Sequence, residues 1–138
     1  MNAPSQTSIV GTYVVKSFIV VIDGVPTATL GKAHGYVIFT PTHFSSFITS
    51  DQRKFGTTVE AKAALWDSLI AYAGPYKTTG NKLTVDVDVS MNETWNGTEQ
   101  VREFELTGGT LNLTTMPAPY SRDPSKIVFA KVTAERVE

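Results

Sequence analysis

Apolar and polar residues alternate along most of this chain. Within 82–91, Leu83, Val85, Val87 and Val89 fall on one parity and Thr84, Asp86, Asp88 and Ser90 on the other. Successive strand side chains point to opposite faces, so this pattern predicts a strand with one dry and one wet face. Segments rich in β-branched and aromatic residues predict further strands over 11–22, 25–30, 36–40, 43–49, 76–78, 98–106, 110–115 and 126–136. Asp23-Gly24, Pro41-Thr42, Gly80-Asn81, Asn96-Gly97 and Gly108-Gly109 supply turn chemistry between them, and 51–56 and 116–125 read as loops.

One stretch follows the helical period instead. Thr57-x-x-Glu60 has the form of a capping box, in which each side chain satisfies a free backbone donor of the first turn. It predicts a helix over 57–73, stopped by Gly74-Pro75. Ala61, Ala64, Leu65, Leu69 and Tyr72 fall near helical spacing, with Trp66 and Ile70 widening the stripe, so the helix is expected to pack on the sheet. Consecutive strands with short turns, one helix and no repeat predict an all-β fold, an antiparallel up-and-down barrel of about eight strands. Residues 1–8 read as a polar, loosely attached tail, and 9–138 as a single domain.

The segment from Gln100 to Leu106 places an arginine on an apolar face. Arg102, Phe104 and Leu106 share one side of the strand, while Val101, Glu103 and Glu105 share the other. A guanidinium turned inward needs a partner, because burying a charge without one is costly. Two readings follow: a neighbouring carboxylate pairs with Arg102 structurally, or Arg102 faces a polar ligand in the interior. Glu93 and Trp95 share the parity of Val87, Val89 and Met91 if no bulge intervenes, which turns them toward the same interior. Glu93–Arg102 is then either a salt bridge across a hairpin at Asn96-Gly97 or an acid/base group poised by a cation.

Charge and composition remove several classes of function. The net charge is −1 and the Lys and Arg residues are scattered singly, so no basic stripe tracks a phosphate backbone and no nucleic acid partner is expected. There is no cysteine, which excludes disulfides, thiolate metal ligands and cysteine nucleophiles. The only histidines, His34 and His43, form no His-x-His or His-x-x-x-His pattern, so no metal is expected. Gly56-Thr57-Thr58 lacks the second glycine and the lysine of a phosphate loop, so no nucleotide cofactor is expected. The first residues carry neither the basic region nor the apolar run of a signal peptide, and no apolar stretch approaches the ~20 residues of a membrane span. A cytoplasmic protein without a membrane partner, monomeric or homodimeric, is the expectation.

Five segments together resemble a known family: Gly11-Thr12-Tyr13-Val14-Val15-Lys16-Ser17-Phe18, Gly35-Tyr36-Val37-Ile38-Phe39-Thr40, Tyr72-Ala73-Gly74-Pro75-Tyr76, Trp95-Asn96-Gly97-Thr98-Glu99-Gln100-Val101-Arg102-Glu103-Phe104 and Leu111-Asn112-Leu113-Thr114-Thr115. They resemble the small lipocalin-like domain proteins of bacteria and fungi, in order and over nearly the whole chain. The resemblance implies a calycin-type barrel with an internal apolar cavity, but no single activity. Gly11-x-Tyr13 looks like the Gly-x-Trp start signature of lipocalins with Tyr for Trp. Arg136 sits where lipocalins carry an arginine over that ring, which implies a cation–π contact closing the barrel's base. Family members often show histidine where this chain has Asp86, proline where it has Glu93 and tryptophan where it has Ala134.

The leading functional expectation is a barrel that binds one small, largely apolar organic molecule. Arg102 and Trp95 are the candidates for orienting it, with Tyr36, Tyr76 and Trp66 as aromatic lining or as core filling. An alternative is a cofactor-independent isomerase or cyclase of a polyketide- or terpenoid-like metabolite, with Arg102, Glu93 and His43 as its catalytic groups. His43 shares a face with Ser45 and Phe47, opposite Phe44, Ser46 and Ile48, and parity alone leaves open which set lies inside. A third reading is a structural or interaction module whose barrel is filled by its own side chains.

Overall fold

A computed structural model of the protein describes residues 8–27, 32–120 and 123–138. Strands β1 (Gly11–Ile22), β2 (Val25–Thr27), β3 (His34–Phe39) and β4 (His43–Thr49) precede the helix α1 (Val59–Asp67). They are followed by β5 (Leu69–Thr79), β6 (Lys82–Asp86), β7 (Val89–Ser90), a 3-10 turn (Glu93–Trp95), β8 (Glu99–Thr107), β9 (Thr110–Thr115), β10 (Ala118–Tyr120) and β11 (Asp123–Arg136). Each of β1, β3, β4, β5, β6, β8, β9 and β11 pairs antiparallel with the next, and β11 returns to β1. The result is a closed eight-stranded up-and-down barrel, with β2, β7 and β10 as short additions to its rim.

Antiparallel alternation sorts the connections. The tight turns at 40–42, 80–81 and 108–109 gather at one end, the base, with the beginning of β1 and the end of β11. The long connections, which hold β2, α1, β7, the 3-10 turn and β10, gather at the other end, the mouth. The core follows the two-residue period: Tyr13, Val15, Val37, Phe39, Phe44, Ile48, Leu83, Val85, Leu111, Leu113, Val132 and Ala134 are buried inside the barrel. A line of ring contacts runs through it, from Tyr13 to Phe39 (6.1 Å), Phe44 (5.1 Å), Tyr72 (5.1 Å) and Trp95 (6.0 Å). Such pairs contribute about 0.5–1.5 kcal/mol each beyond the area they bury.

The base is closed by a clasp between the two ends of the chain. The Arg136 guanidinium lies over the Tyr13 ring, 5.2 Å from its centroid, and donates from Nη2 to Tyr13 Oη at 2.7 Å. Nη2 also donates to the Ser8 carbonyl, and Tyr13 Oη donates onward to the Ile9 carbonyl at 2.8 Å. Gly11 makes room for this arrangement: with φ of 152°, a Cβ there would stand 2.6 Å from the Glu138 carbonyl oxygen and 3.1 Å from Arg136 Nε.

The structure corrects the sequence reading in three places. The helix starts one residue later than the capping box indicates, with Thr58 Oγ1 accepting from Ala61 N at 3.1 Å, and it ends at Asp67 rather than 73. Residues 69–73 are strand, paired with β4 from Thr49↔Leu69 to His43↔Pro75, so Leu69, Ile70 and Tyr72 belong to the barrel wall rather than to a helical stripe. No residue of α1 is buried, and the helix does not cover the sheet. It is held at its C-terminal end by Arg53, which donates to the Leu65 carbonyl (2.9 Å) and to Ser68 Oγ (3.0 Å).

Second, the single strand expected over 82–91 is broken. β6 pairs with β5 through Tyr76↔Val85, but β7 pairs through Ala73↔Val89, a one-residue shift that reverses parity and leaves Val89 60% exposed. Third, the loop expected over 116–125 contains β10, which folds onto β11. Of the remaining expectations, most of the tail and the part of the second strand beyond Thr27 lie outside the described residues. Among the described residues, no helix is long and apolar enough to cross a membrane.

Because Arg136 contributes a cation–π contact and charge-assisted hydrogen bonds at a half-buried position, Arg136→Ala is expected to lower stability by about 2–4 kcal/mol. Urea unfolding is the measurement, and Arg136→Lys should recover only part of the loss, since an ammonium lacks the planar fork.

Candidate functional site

The barrel is filled at its base and open near its mouth. A pocket of about 190 Å³ lies there, and the residues around it come from every strand of the wall except β6, and from the 3-10 turn. Phe18 enters from β1, Val37 from β3, Ser46 and Ile48 from β4, and Ile70 and Tyr72 from β5. Trp95 enters from the 3-10 turn, Arg102 from β8, Leu113 and Thr115 from β9, and Ala130 and Val132 from β11. At Ser46, Thr115 and Ala130 a small side chain occupies an inward position, and the volume they leave unfilled forms the pocket.

Arg102 takes the place its parity indicates, between Leu83 of β6 and Thr115 of β9. Its Nη1 donates to the Val101 carbonyl at 3.0 Å, its Nη2 to Gln100 Oε1 at 3.4 Å, and its Cζ stands 5.7 Å from the centroid of the Tyr72 ring. Among the described residues no carboxylate comes within ion-pair distance of it; the ion pair found there is Lys16–Glu135, on the outside. Trp95 reaches the pocket by a different route from the one its strand parity implies. The shift between β6 and β7 is followed by a turn capped by Asn92, whose Oδ1 accepts from Thr94 N at 3.0 Å, and the turn carries Trp95 back inward to meet Tyr72 edge-on.

Gly74 permits that shift. A Cβ at Gly74 would fall 1.8 Å from the Asp86 carbonyl oxygen, so β6 can bend across β5 only where no side chain stands. Val87 N then donates to Thr98 O at 2.9 Å, and Gly97 N to Val87 O at 2.8 Å, which pins the bend against the start of β8.

The remaining candidates lie elsewhere. Glu93 is exposed on the 3-10 turn and accepts from Asn96 Nδ2 at 2.8 Å, so the Glu93–Arg102 pair does not form. The bend, absent from the simple parity count, is the reason. His43 is exposed and its Nδ1 lies 2.8 Å from Thr42 Oγ1; Phe44, Ser46 and Ile48 are the inward set on β4. Tyr36 is 50% exposed and stands beside Phe47 on the outer face. Trp66, 51% exposed on α1, is also away from the pocket. Tyr76 is inside but at the base, where its ring meets Phe39 (5.1 Å) and its hydroxyl donates to the Thr40 carbonyl at 2.8 Å. Of the groups named from sequence, the structure thus brings together Arg102 and Trp95.

Ser46, Tyr72 and Thr115 are the polar-bearing pocket residues that sequence reasoning missed. A two-residue reading of Ile70, Tyr72, Gly74 and Tyr76 exposes the inward face of β5, but the helical stripe ending at Tyr72 competes with it. The described pocket lining contains no His, Asp or Glu. No group of three or more potential metal ligands occurs among the described residues. Asp86 is exposed at the end of β6.

Comparison with known proteins agrees with the architecture. The family model for a lipocalin-like domain matches residues 10–137. No curated protein and no solved structure matches the chain.

Burial of Tyr76 at the base, with Tyr13 beside it, holds its hydroxyl above its ordinary pKa of 10.0. The neutral phenol is therefore favoured by folding. This contribution is complete below the unfolded value and is lost as pH rises through the folded one. Unfolding free energy is expected to fall above about pH 10 in the wild type, and less steeply in Tyr76→Phe; chemical denaturation across that range with absorbance of phenolate checks both.

Proposed function

The chain belongs to the lipocalin-like domain family, and from that membership and the pocket at the mouth we propose that it is a binding barrel for one small, largely apolar organic molecule. The observation that carries the reading is the pocket itself: an opening walled by Phe18, Ile48, Ile70, Tyr72, Trp95 and Leu113, with Arg102 as its one charged group. Ligand sites are typically mostly apolar with a few placed polar groups. Its size bounds the ligand. An apolar cavity of about 150 Å³ admits benzene, so about 190 Å³ accepts a molecule of one ring, with larger ones extending out of the mouth.

Binding stands ahead of the isomerase or cyclase reading because Glu93 and His43, the acid/base groups that reading uses, face away from the pocket. It stands ahead of a filled barrel because the side-chain packing that closes the base stops short of the mouth.

Two measurements test the proposal. Native mass spectrometry of the purified protein is expected to show a retained small molecule or, with toluene or indole added, a one-to-one adduct. The same probes should raise the melting temperature by a few degrees at concentrations well above Kd, where ligand linkage contributes on the order of 2–3 kcal/mol. Ala130→Phe, which fills the pocket, should keep the fold by circular dichroism and lose the ligand-dependent rise. Retention of the full rise in Ala130→Phe, or no rise with any ring compound, would exclude this pocket as the binding site.

A further inference from the structure

We infer that the molecule this pocket takes is a monoanionic carboxylic acid built on a single planar ring, with its carboxylate on Arg102 and its ring against Tyr72 and Trp95. The inference rests on the binding reading above and adds the charge and shape of the ligand. It begins with the unsatisfied chemistry of Arg102. A guanidinium carries five N–H donors. Here one meets a backbone carbonyl, one meets an amide oxygen at the long distance of 3.4 Å, and no carboxylate among the described residues neutralises the charge. A half-buried guanidinium with donors left over toward a pocket matches a carboxylate, whose two oxygens fit its fork. A single cation with no acidic neighbour in the lining matches one negative charge; a phosphate dianion would leave charge uncompensated against apolar walls.

A second polar group points the same way. Ser46 is 2% exposed, it lines the pocket, and no hydrogen bond to its hydroxyl occurs among the described residues. Its hydroxyl belongs to the pocket lining and can donate to or accept from a ligand there. The ring follows from the walls and the volume. Tyr72 and Trp95 meet edge to face at 81°, and a planar ring can lie against one face and one edge of the pair. About 190 Å³ exceeds the ~150 Å³ that accommodates benzene by roughly the space of a carboxylate, so a ring with one compact acidic group fills the site.

The test compares benzoate, its neutral isostere benzamide, toluene and octanoate by isothermal titration near pH 7, on wild type, Arg102→Met and Arg102→Gln. Benzoate is expected to bind at least about tenfold more tightly than benzamide, a difference of about 1.4 kcal/mol. Both Arg102 variants should erase that preference while keeping affinity for toluene, and either folded variant is enough to read the effect. In a Trp66→Phe background the fluorescence of Trp95, then the only tryptophan, should respond to benzoate. Benzamide or toluene binding as tightly as benzoate would overturn the anion assignment and leave the binding pocket standing. Octanoate binding more tightly than benzoate would overturn the single-ring assignment. A preference for benzoate that survives in the Arg102 variants would place the carboxylate elsewhere. No binding of any of the four would remove both this inference and the pocket reading beneath it.

Discussion

Closure of the sheet is the constraint on which the rest of the structure depends. β1 is long because it pairs with β3 and β2 along one edge and with β11 along the other, and its register against β11 slips between Val15 and Ser17. Once β11 returns to β1, an eight-stranded wall has an interior just wide enough to be filled by side chains or to hold one small ligand. Filled interior and unfilled volume occur within the same barrel. Large buried residues such as Tyr13, Phe39, Leu83 and Leu111 fill the base, whereas Ser46, Thr115 and Ala130 leave volume near the mouth. The position of the pocket is therefore a matter of side-chain size at a few inward positions, on a backbone that is continuous from end to end.

The legibility of the fold in the sequence follows the range of the interactions involved. Turns such as Asp23-Gly24 and Gly108-Gly109, with backbone in the left-handed region, are set by residues within the turn and were readable. The inward face of β8 was readable as well, because Phe104 and Leu106 mark the parity of Arg102 and no bulge intervenes in the pairing with β9. The end of α1 was not. Residues 69–73 satisfy a helical stripe and an alternating strand equally, and the choice is made by the vacancy between β4 and β6 that only a strand can fill. The bend after Asp86 was equally hidden, since it requires Gly74, twelve residues earlier, to come under the Asp86 carbonyl. That one missed bend sends Val89 and Glu93 outward and removes the expected Glu93–Arg102 pair.

Aromatic identity was the weakest guide to the site. Tyr36, Trp66 and Tyr76 are no less suited by composition to line a pocket than Tyr72 and Trp95, yet they stand respectively on the outer face, on an unburied helix and in the base. On β3 and β4 the signal that separates the faces is relational: Val37 and Phe39 go inward together, as do Phe44, Ser46 and Ile48, and Tyr36 and Phe47 then meet outside as cross-strand neighbours. A ring on the exterior of a barrel is ordinary, because there is never enough polar surface to cover a folded chain.

The same local contact, an arginine over a tyrosine ring, occurs twice in different surroundings. Arg136 lies 5.2 Å from the Tyr13 centroid and Arg102 lies 5.7 Å from that of Tyr72, so the cation–π component is comparable. Their hydrogen-bond surroundings differ. Arg136 is locked by the Tyr13 hydroxyl and by carbonyls of the chain that enters β1, while its Nε is buried without a hydrogen-bond partner among the described residues. Arg102 is held loosely by its own strand and opens onto unfilled volume. Arg102, with donors left over toward an apolar pocket that Ser46 also lines, stands where an incoming carboxylate would meet it.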